Sequence, residues 1–280
     1  MSSKDRARLR PSSKAIIHGI LGLGAIVMII PFIWMVLTSF MSLGESTRVP
    51  PILFPARLRW ENYTRIFSAL PFLRFYWNTT VTTIAKVLGQ LALCSMAGYA
   101  FARIKFPGRD VLFIAIISVL MVPSQAYVIP RYMLMLKFGW LNTLTALIVP
   151  GLTSSFGTFL LRQFFMSLPG ELEEAATLDG CNHFQIYYRV FLPLAHSGLI
   201  ALAIFTALWS WNDLMWPLIV NSSPGKMTLS VGLASLQGQY GTDFPLLMAG
   251  ALMAIWPMIT LFMLLQKHFV EGIALTGTKA

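Results

Sequence analysis

Two ionisable side chains, Lys86 and Asp213, stand inside long apolar runs. A charge at membrane depth is costly and marks a function by default. The chemistry open to this pair is an ion pair or a proton relay. A second group is acidic. The stretch "ELEEAATLDG", residues 171–180, places Glu171, Glu173, Glu174 and Asp179 within nine positions of a chain that has eleven acids in all. Carboxylates so placed favour the positive end of a helix dipole. His18, His183, His196 and His268 are scattered. Neither they nor Cys94 and Cys181 show metal-ligand or disulfide spacing, and there is no Walker A pattern. The chain reads as having no catalytic site, no metal site and no cofactor of its own.

The surrounding elements explain the rarity of charge. The chain of 280 residues is 56% hydrophobic and 11% charged, with mean hydropathy +0.68, against about 25% charged residues in soluble domains. A bilayer is the solvent that composition implies, and membrane lipid the surrounding partner. The net charge of +10 forms no stripe on a soluble face, which argues against nucleic acid. Six segments have the ~20 apolar residues that a transmembrane helix needs: roughly 15–39, 77–101, 111–130, 143–165, 197–220 and 245–266. The first follows the basic tail "KDRARLR" but is too long for a signal peptide, and reads as a retained span. The second contains Lys86 and Gln90, and the fourth is interrupted by Pro150-Gly151 and "TSSFGT". Gly250 and Ala254 form a small-xxx-small pair suited to close helix contact. With an even number of spans both termini share a side. Twelve Lys and Arg then fall on that side and eight on the other. The positive-inside rule makes the twelve cytoplasmic. The chain divides into a cytoplasmic basic tail 1–14, a transmembrane domain 15–267 and a cytoplasmic tail 268–280.

Lys86 and Asp213 fall on the same side of the bilayer midplane. At ~1.5 Å per residue both lie roughly 4–8 Å from it. One reading pairs them in the bundle interior; the other is a structural pair or snorkelling to the surface. "WSWNDLMW" adds Trp209, Trp211, Asn212 and Trp216. Trp209 and Asn212 suit a carbohydrate path, by stacking and by amide–hydroxyl bonds. Packing or an interfacial belt serves as well, above all for Trp216. Ser154 and Ser155, in the broken fourth segment, are candidate pathway residues because helix breaks line transporter pathways.

The loop between the fourth and fifth segments, 167–194, reads as helix, glycine corner, helix. Pro169 suits a first helical turn, and the three glutamates follow it. Leu172, Ala175 and Ala176 make a small apolar face at helical spacing. Gly180 is a helix stop able to take positive φ. Asn182 and Gln185 form a capping box for a second helix carrying Phe184, Ile186, Tyr187, Tyr188 and Phe191 and ending near Pro193. Dipole electrostatics accounts for Glu171 and Glu173. It does not account for Asp179 at a helix C-terminus. An ordered apolar surface here is built to dock something.

"EEAATLDGCNHFQIYYRVFLPL" resembles the EAA signature of binding-protein-dependent ABC importer permeases, with Glu174-Ala175-Ala176, Asp179-Gly180 and Pro193-Leu194 in place. "FARIKFPGRDVLF", "LLRQFFMSLPGEL", "WSWNDLMWPL", "LSVGLASLQGQYGTD", "LLMAGALMA" and "QKHFVEGIALTGTK" are similar to the carbohydrate branch of that family. Cys181 stands where the family usually has alanine. The resemblance covers about residues 15–280.

The resemblance implies an all-α membrane protein of the type I importer fold, with six transmembrane helices and a cytoplasmic helix–Gly–helix coupling loop, in the bacterial inner membrane. It implies three partners: a second homologous permease, an ATPase dimer seated on the loop, and an extracytoplasmic solute-binding protein that meets the loops near 40–74 and 221–244. ATP and Mg belong to the ATPase. Glu174, Ala175, Ala176, Asp179 and Gly180 are then the coupling residues, and Lys86, Ser154, Ser155, Trp209, Asn212 and Asp213 the candidate pathway. The tail from Glu271 to Ala280 resembles tails that also reach the ATPase. The function so implied is sugar import by alternating access. Glycerol phosphate or another polyol is the alternative cargo, and an ion-coupled secondary transporter using Lys86 and Asp213 the alternative mechanism.

Overall fold

The computed structural model describes residues 11–238 and 241–277, with side chains described over 17–238 and 241–266. Residues 1–10 of the basic tail and 278–280 lie outside the described residues, as do the side chains of the C-terminal tail. The chain divides into two units.

The first unit comprises residues up to Ala69 together with Leu236–Met253. Helix α1, Pro11–Ser39, opens it. Every side chain from Ile17 to Trp34 is exposed, and the most apolar 18 residues within Ile17–Ser39 have mean hydropathy 2.6. A helix apolar all round and exposed over most of its length belongs in lipid. The C-terminal carbonyls of α1 lack helical donors. The buried Asn62 amide supplies two bonds, to the Ser39 carbonyl at 2.9 Å and the Met41 carbonyl at 3.0 Å. The short helix α2, Leu43–Ser46, is closed by a Ser42–Glu45 capping box. The Ser42 N–H and hydroxyl, then the Ala56 N–H, hold the Glu45 carboxyl below the usual carboxylate range. Helix α3, Glu61–Ala69, carries Arg65, which pairs with Asp243 at 3.1 Å. The strands Gln237–Gly238 and Gly241–Thr242 form an antiparallel pair.

The second unit comprises Leu70–Ser235 and Ala254 onward. Its centre is α4, Phe72–Arg103, 32 residues long. The third apolar segment, expected as one span over 111–130, is broken. Helix α5, Arg109–Ser118, runs through 3₁₀ turns at 119–121 and 124–127 into α6, Val128–Lys137, and the halves meet at 101°. Pro123 is the cause. It has no N–H, and its ring drives Val122 out of the helical region, to φ −90°, ψ 119°. The fourth segment breaks where its glycine and proline fall: α7, Thr145–Ile148, a 3₁₀ turn at 149–151, then α8, Ser155–Ser167. Ser154 caps α8 by accepting from the Gly157 N–H at 3.1 Å. There follow α9, Glu171–Leu178, α10, His183–Ile186, a π turn over 187–191 and α11, Leu192–Leu194. The fifth segment, expected to run to residue 220, ends its main helix α12 at Trp211 (His196–Trp211) and resumes as α13, Met215–Val220. Helix α14 spans Leu229–Ala234. The last helix, α15, is Phe244–Gly277 and runs on through the 267–268 boundary drawn from the sequence.

Helix α4 packs against both α8 and α12, and glycines set the spacing. A Cβ at Gly98 would lie 3.0 Å from the Arg162 backbone nitrogen and 3.1 Å from the Leu161 Cβ. One at Gly157 would meet Leu202 Cδ1 at 2.9 Å. Small residues let helices approach closely where lipid offers no hydrophobic drive. Gly98→Val should therefore push α8 off α4, lowering stability by about 1–3 kcal/mol. A fall in the thermal midpoint of the detergent-purified protein, followed by fluorescence-detected gel filtration, checks this.

Candidate functional site

The helix–glycine–helix segment forms as the sequence predicts, with one shift. Pro169 precedes the helix, whose N-cap is Gly170. Helix α9 stops at the corner where Gly180 takes φ +81°, a conformation that costs a Cβ-bearing residue about 1–2 kcal/mol. The Asn182–Gln185 capping box is complete: Asn182 N–H to Gln185 at 2.8 Å, Gln185 N–H to Asn182 at 2.9 Å.

Its residues divide between two faces. Ala176, Ile186, Tyr187 and Phe191 are buried in one core cluster with Tyr99, Leu161 and Phe165. The Tyr187 hydroxyl meets Ser95 Oγ of α4 at 2.8 Å. Glu174, Ala175, Asp179 and Gly180 face outward, beside Leu178, Phe184 and Tyr188, which are 89%, 66% and 62% exposed. Leu172 is half-buried, Ala175 exposed and Ala176 buried. Those three do not form the shared apolar face expected of them, and Ala176 serves packing. Leu178 went unremarked in the sequence; its signal is a leucine in the last helical position before Asp179-Gly180.

Arg103 is the residue that sequence reasoning missed. It counted only as a positive charge beside a span. In the structure it ends α4 and is 12% exposed. Its Nε and Nη2 donate to the Phe165 carbonyl at 3.1 and 2.6 Å, and Nη2 also to the Leu168 carbonyl. Both carbonyls lie at the end of α8, where helical donors run out, and that of Phe165 has besides only the long 3.4 Å bond from the Leu168 N–H. Nη1 lies 3.8 Å from Glu173 Oε2, and the guanidinium sits 4.7 Å from the centre of the Phe191 ring. One fork-shaped cation thus joins α4, α8, α9 and the π turn. Glu173, ascribed from the sequence to dipole electrostatics alone, also has this partner.

Among the pathway candidates, Lys86 and Asp213 come together: Lys86 Nζ lies 3.7 Å from Asp213 Oδ2. The aliphatic stem of Lys86 passes over Gly151, where a Cβ would stand 2.8 Å from its Cε. Gln90, the other polar residue of that span, donates to the Gly151 carbonyl at 2.9 Å and accepts from the Thr206 hydroxyl at 2.8 Å. Ser154 is occupied in capping, and Ser155 opens α8, half-buried. Asn212 is exposed and donates to the Leu208 carbonyl of its own helix at 2.8 Å. Trp209 is exposed beside Phe156 and Phe205. Trp216 is 4% exposed and donates to the Ala146 carbonyl at 2.9 Å, so it packs the interior. Of these, Asp213 and Trp216 line a cavity of about 310 Å³.

A helical membrane bundle, with interrupted helices around a partly buried ion pair and an ordered segment turned outward, has the architecture of a transport permease. Residues 94–274 match the family described as the binding-protein-dependent transport system inner membrane component, and the chain belongs to it. It is 35% identical over 261 residues to the arabinooligosaccharides transport system permease protein AraQ of Halalkalibacterium halodurans, covering 91% of this chain and 92% of the relative. The sn-glycerol-3-phosphate transport system permease protein UgpE of Brucella suis is 32% identical, covering 95% and 98%. The lactose transport system permease protein LacG of Rhizobium radiobacter is 31% identical, covering 91% and 93%. Among solved structures, a chain of a bacterial ABC transporter involved in the import of the acidic polysaccharide alginate superposes with TM-score 0.81 at 24% identity, covering 96% of this chain and 99% of that one. The fold is that of a type I importer permease with about six transmembrane helices. The family is a non-catalytic transport component whose ATPase is a separate subunit.

Arg103→Met keeps the stem but strips the guanidinium donors from two carbonyls. It should cost about 1–3 kcal/mol, whereas Glu173→Gln should cost about 0–1 kcal/mol. Thermal midpoints of the two purified variants should rank in that order.

Proposed function

We propose that this chain is the transmembrane permease subunit of an ATP-driven carbohydrate importer, moving its cargo across the cytoplasmic membrane by alternating access. The observation that carries the proposal is the two-faced segment 171–194. Its inner face is locked to α4 and α8 through Arg103, Tyr187 and Phe191. Its outer face presents Leu178, Phe184 and Tyr188 flanked by Glu174 and Asp179. That surface suits a groove with an apolar floor and a basic rim. An ATPase dimer that closes on ATP and Mg would move the segment, and the segment would move α4 and α8. Both termini and the segment lie in the cytoplasm on this reading. A second permease completes the pathway and an extracytoplasmic solute-binding protein delivers cargo.

The carbohydrate assignment draws on the relatives, named for arabinooligosaccharides and lactose. The relative named for sn-glycerol 3-phosphate supports phosphorylated polyols as the second reading. The chain needs no cofactor of its own here; the nucleotide and its metal belong to the ATPase.

Glu174→Lys and Gly180→Trp test the coupling role. Reconstituted with the partner subunits, Glu174→Lys should insert and purify at wild-type levels and Gly180→Trp should insert with the ~1–2 kcal/mol strain of its positive φ, yet each should lose at least ten-fold in ATP-dependent uptake. Unchanged uptake by both would remove the segment from the mechanism.

A further inference from the structure

The break at Val122-Pro123 and the break after Trp211 flank the same cavity of about 310 Å³, lined by Ser124, Gln125, Arg131, Asp213 and Trp216 among others. Interrupted helices leave room for polar groups at membrane depth. The charge balance of this cavity is uneven. Asp213 is already engaged: one oxygen faces Lys86 Nζ at 3.7 Å, the other accepts from the Trp216 N–H at 3.4 Å. Arg131 is left over. Its guanidinium lies 3.9 Å from the centre of the Trp216 ring, which satisfies its face but not its in-plane donors. Its Nε is buried and has no hydrogen-bond partner. Two cations therefore share one carboxylate, and the surplus cation cannot be neutralised by losing its proton. The planar fork of an arginine matches a carboxylate or a phosphate.

We propose that this cavity is a binding site for the anionic group of an acidic carbohydrate, a carboxylate or a phosphate, with Arg131 as its ligand and the Lys86–Asp213 pair holding the adjacent wall. The proposal rests on the importer reading and narrows its cargo. A neutral sugar would leave the surplus charge uncompensated; an anionic one completes the pairing as it passes.

The test uses the assembled transporter with all its partner subunits, in detergent, and equilibrium binding of radiolabelled probes: an oligogalacturonide, sn-glycerol 3-phosphate and a neutral arabinooligosaccharide. At least one anionic probe should bind more tightly than the neutral one. Arg131→Gln should weaken that binding ten-fold or more, while Arg131→Lys, which keeps the charge, should weaken it only a few-fold. Binding of the oligogalacturonide alone assigns a carboxylate, and binding of the glycerol phosphate alone a phosphate. If Arg131→Gln fails to assemble, Arg131→Lys decides the matter: a ligand role predicts a few-fold loss of anion binding with neutral-probe binding unchanged, and wild-type anion binding overturns the proposal. The proposal is overturned if neither anionic probe binds, or if Arg131→Gln binds as the wild type does. Uptake in proteoliposomes separates the two levels. Neutral-sugar uptake without anion binding sinks this site and leaves the importer reading standing; uptake of no carbohydrate sinks both.

Discussion

Hydrocarbon cannot hydrogen-bond, so every backbone group freed by a broken helix must find a partner inside the protein. The second unit meets that constraint with side chains from neighbouring elements. Pro150 has no N–H to give the Ala146 carbonyl four residues back, and the Trp216 indole supplies it at 2.9 Å. The Gly151 carbonyl takes the Gln90 amide. The carbonyls that end α8 take the Arg103 guanidinium. The Trp211 indole makes a further such tie, to the Ala254 carbonyl of the last helix at 3.0 Å. Each of these bonds also ties two elements together. The interruptions are therefore the cross-braces of the bundle.

That pattern explains what was legible in the chain and what was not. The helix–glycine–helix segment could be read because its signals are local: a glycine stop at Gly180, an Asn182–Gln185 box and a run of glutamates. The six apolar segments were readable because bilayer thickness demands their length. The breaks were half legible. Pro150-Gly151 was read as an interruption, but Pro123 was taken to lie within a span, and the stop at Trp211 carries neither glycine nor proline.

Partners distant in sequence were the illegible part. Nothing local says that Arg103 caps α8 sixty-odd positions later, or that Trp216 answers Pro150. The indole of Trp216, readable either as packing or as an interfacial belt, proved to be an internal donor. The amphipathic reading of Leu172, Ala175 and Ala176 failed for a related reason. An eight-residue helix has too few positions to define a face until its neighbours do so. Lys86 and Asp213 were readable as a pair only because an isolated charge in an apolar run needs an answer, and each supplied the other's.

The segment 171–194 keeps what holds it in place separate from what it shows to solvent. Ala176, Tyr187 and Phe191 are committed to the interior, while Leu178, Phe184 and Tyr188 touch little of their own chain. Substitutions at those three outward positions carry small folding penalties, since they vacate no core and orphan no hydrogen bond. The two faces are consequently free to diverge at different rates. Over generations such a subunit can drift toward a new counterpart by changing a few surface side chains, with its architecture untouched.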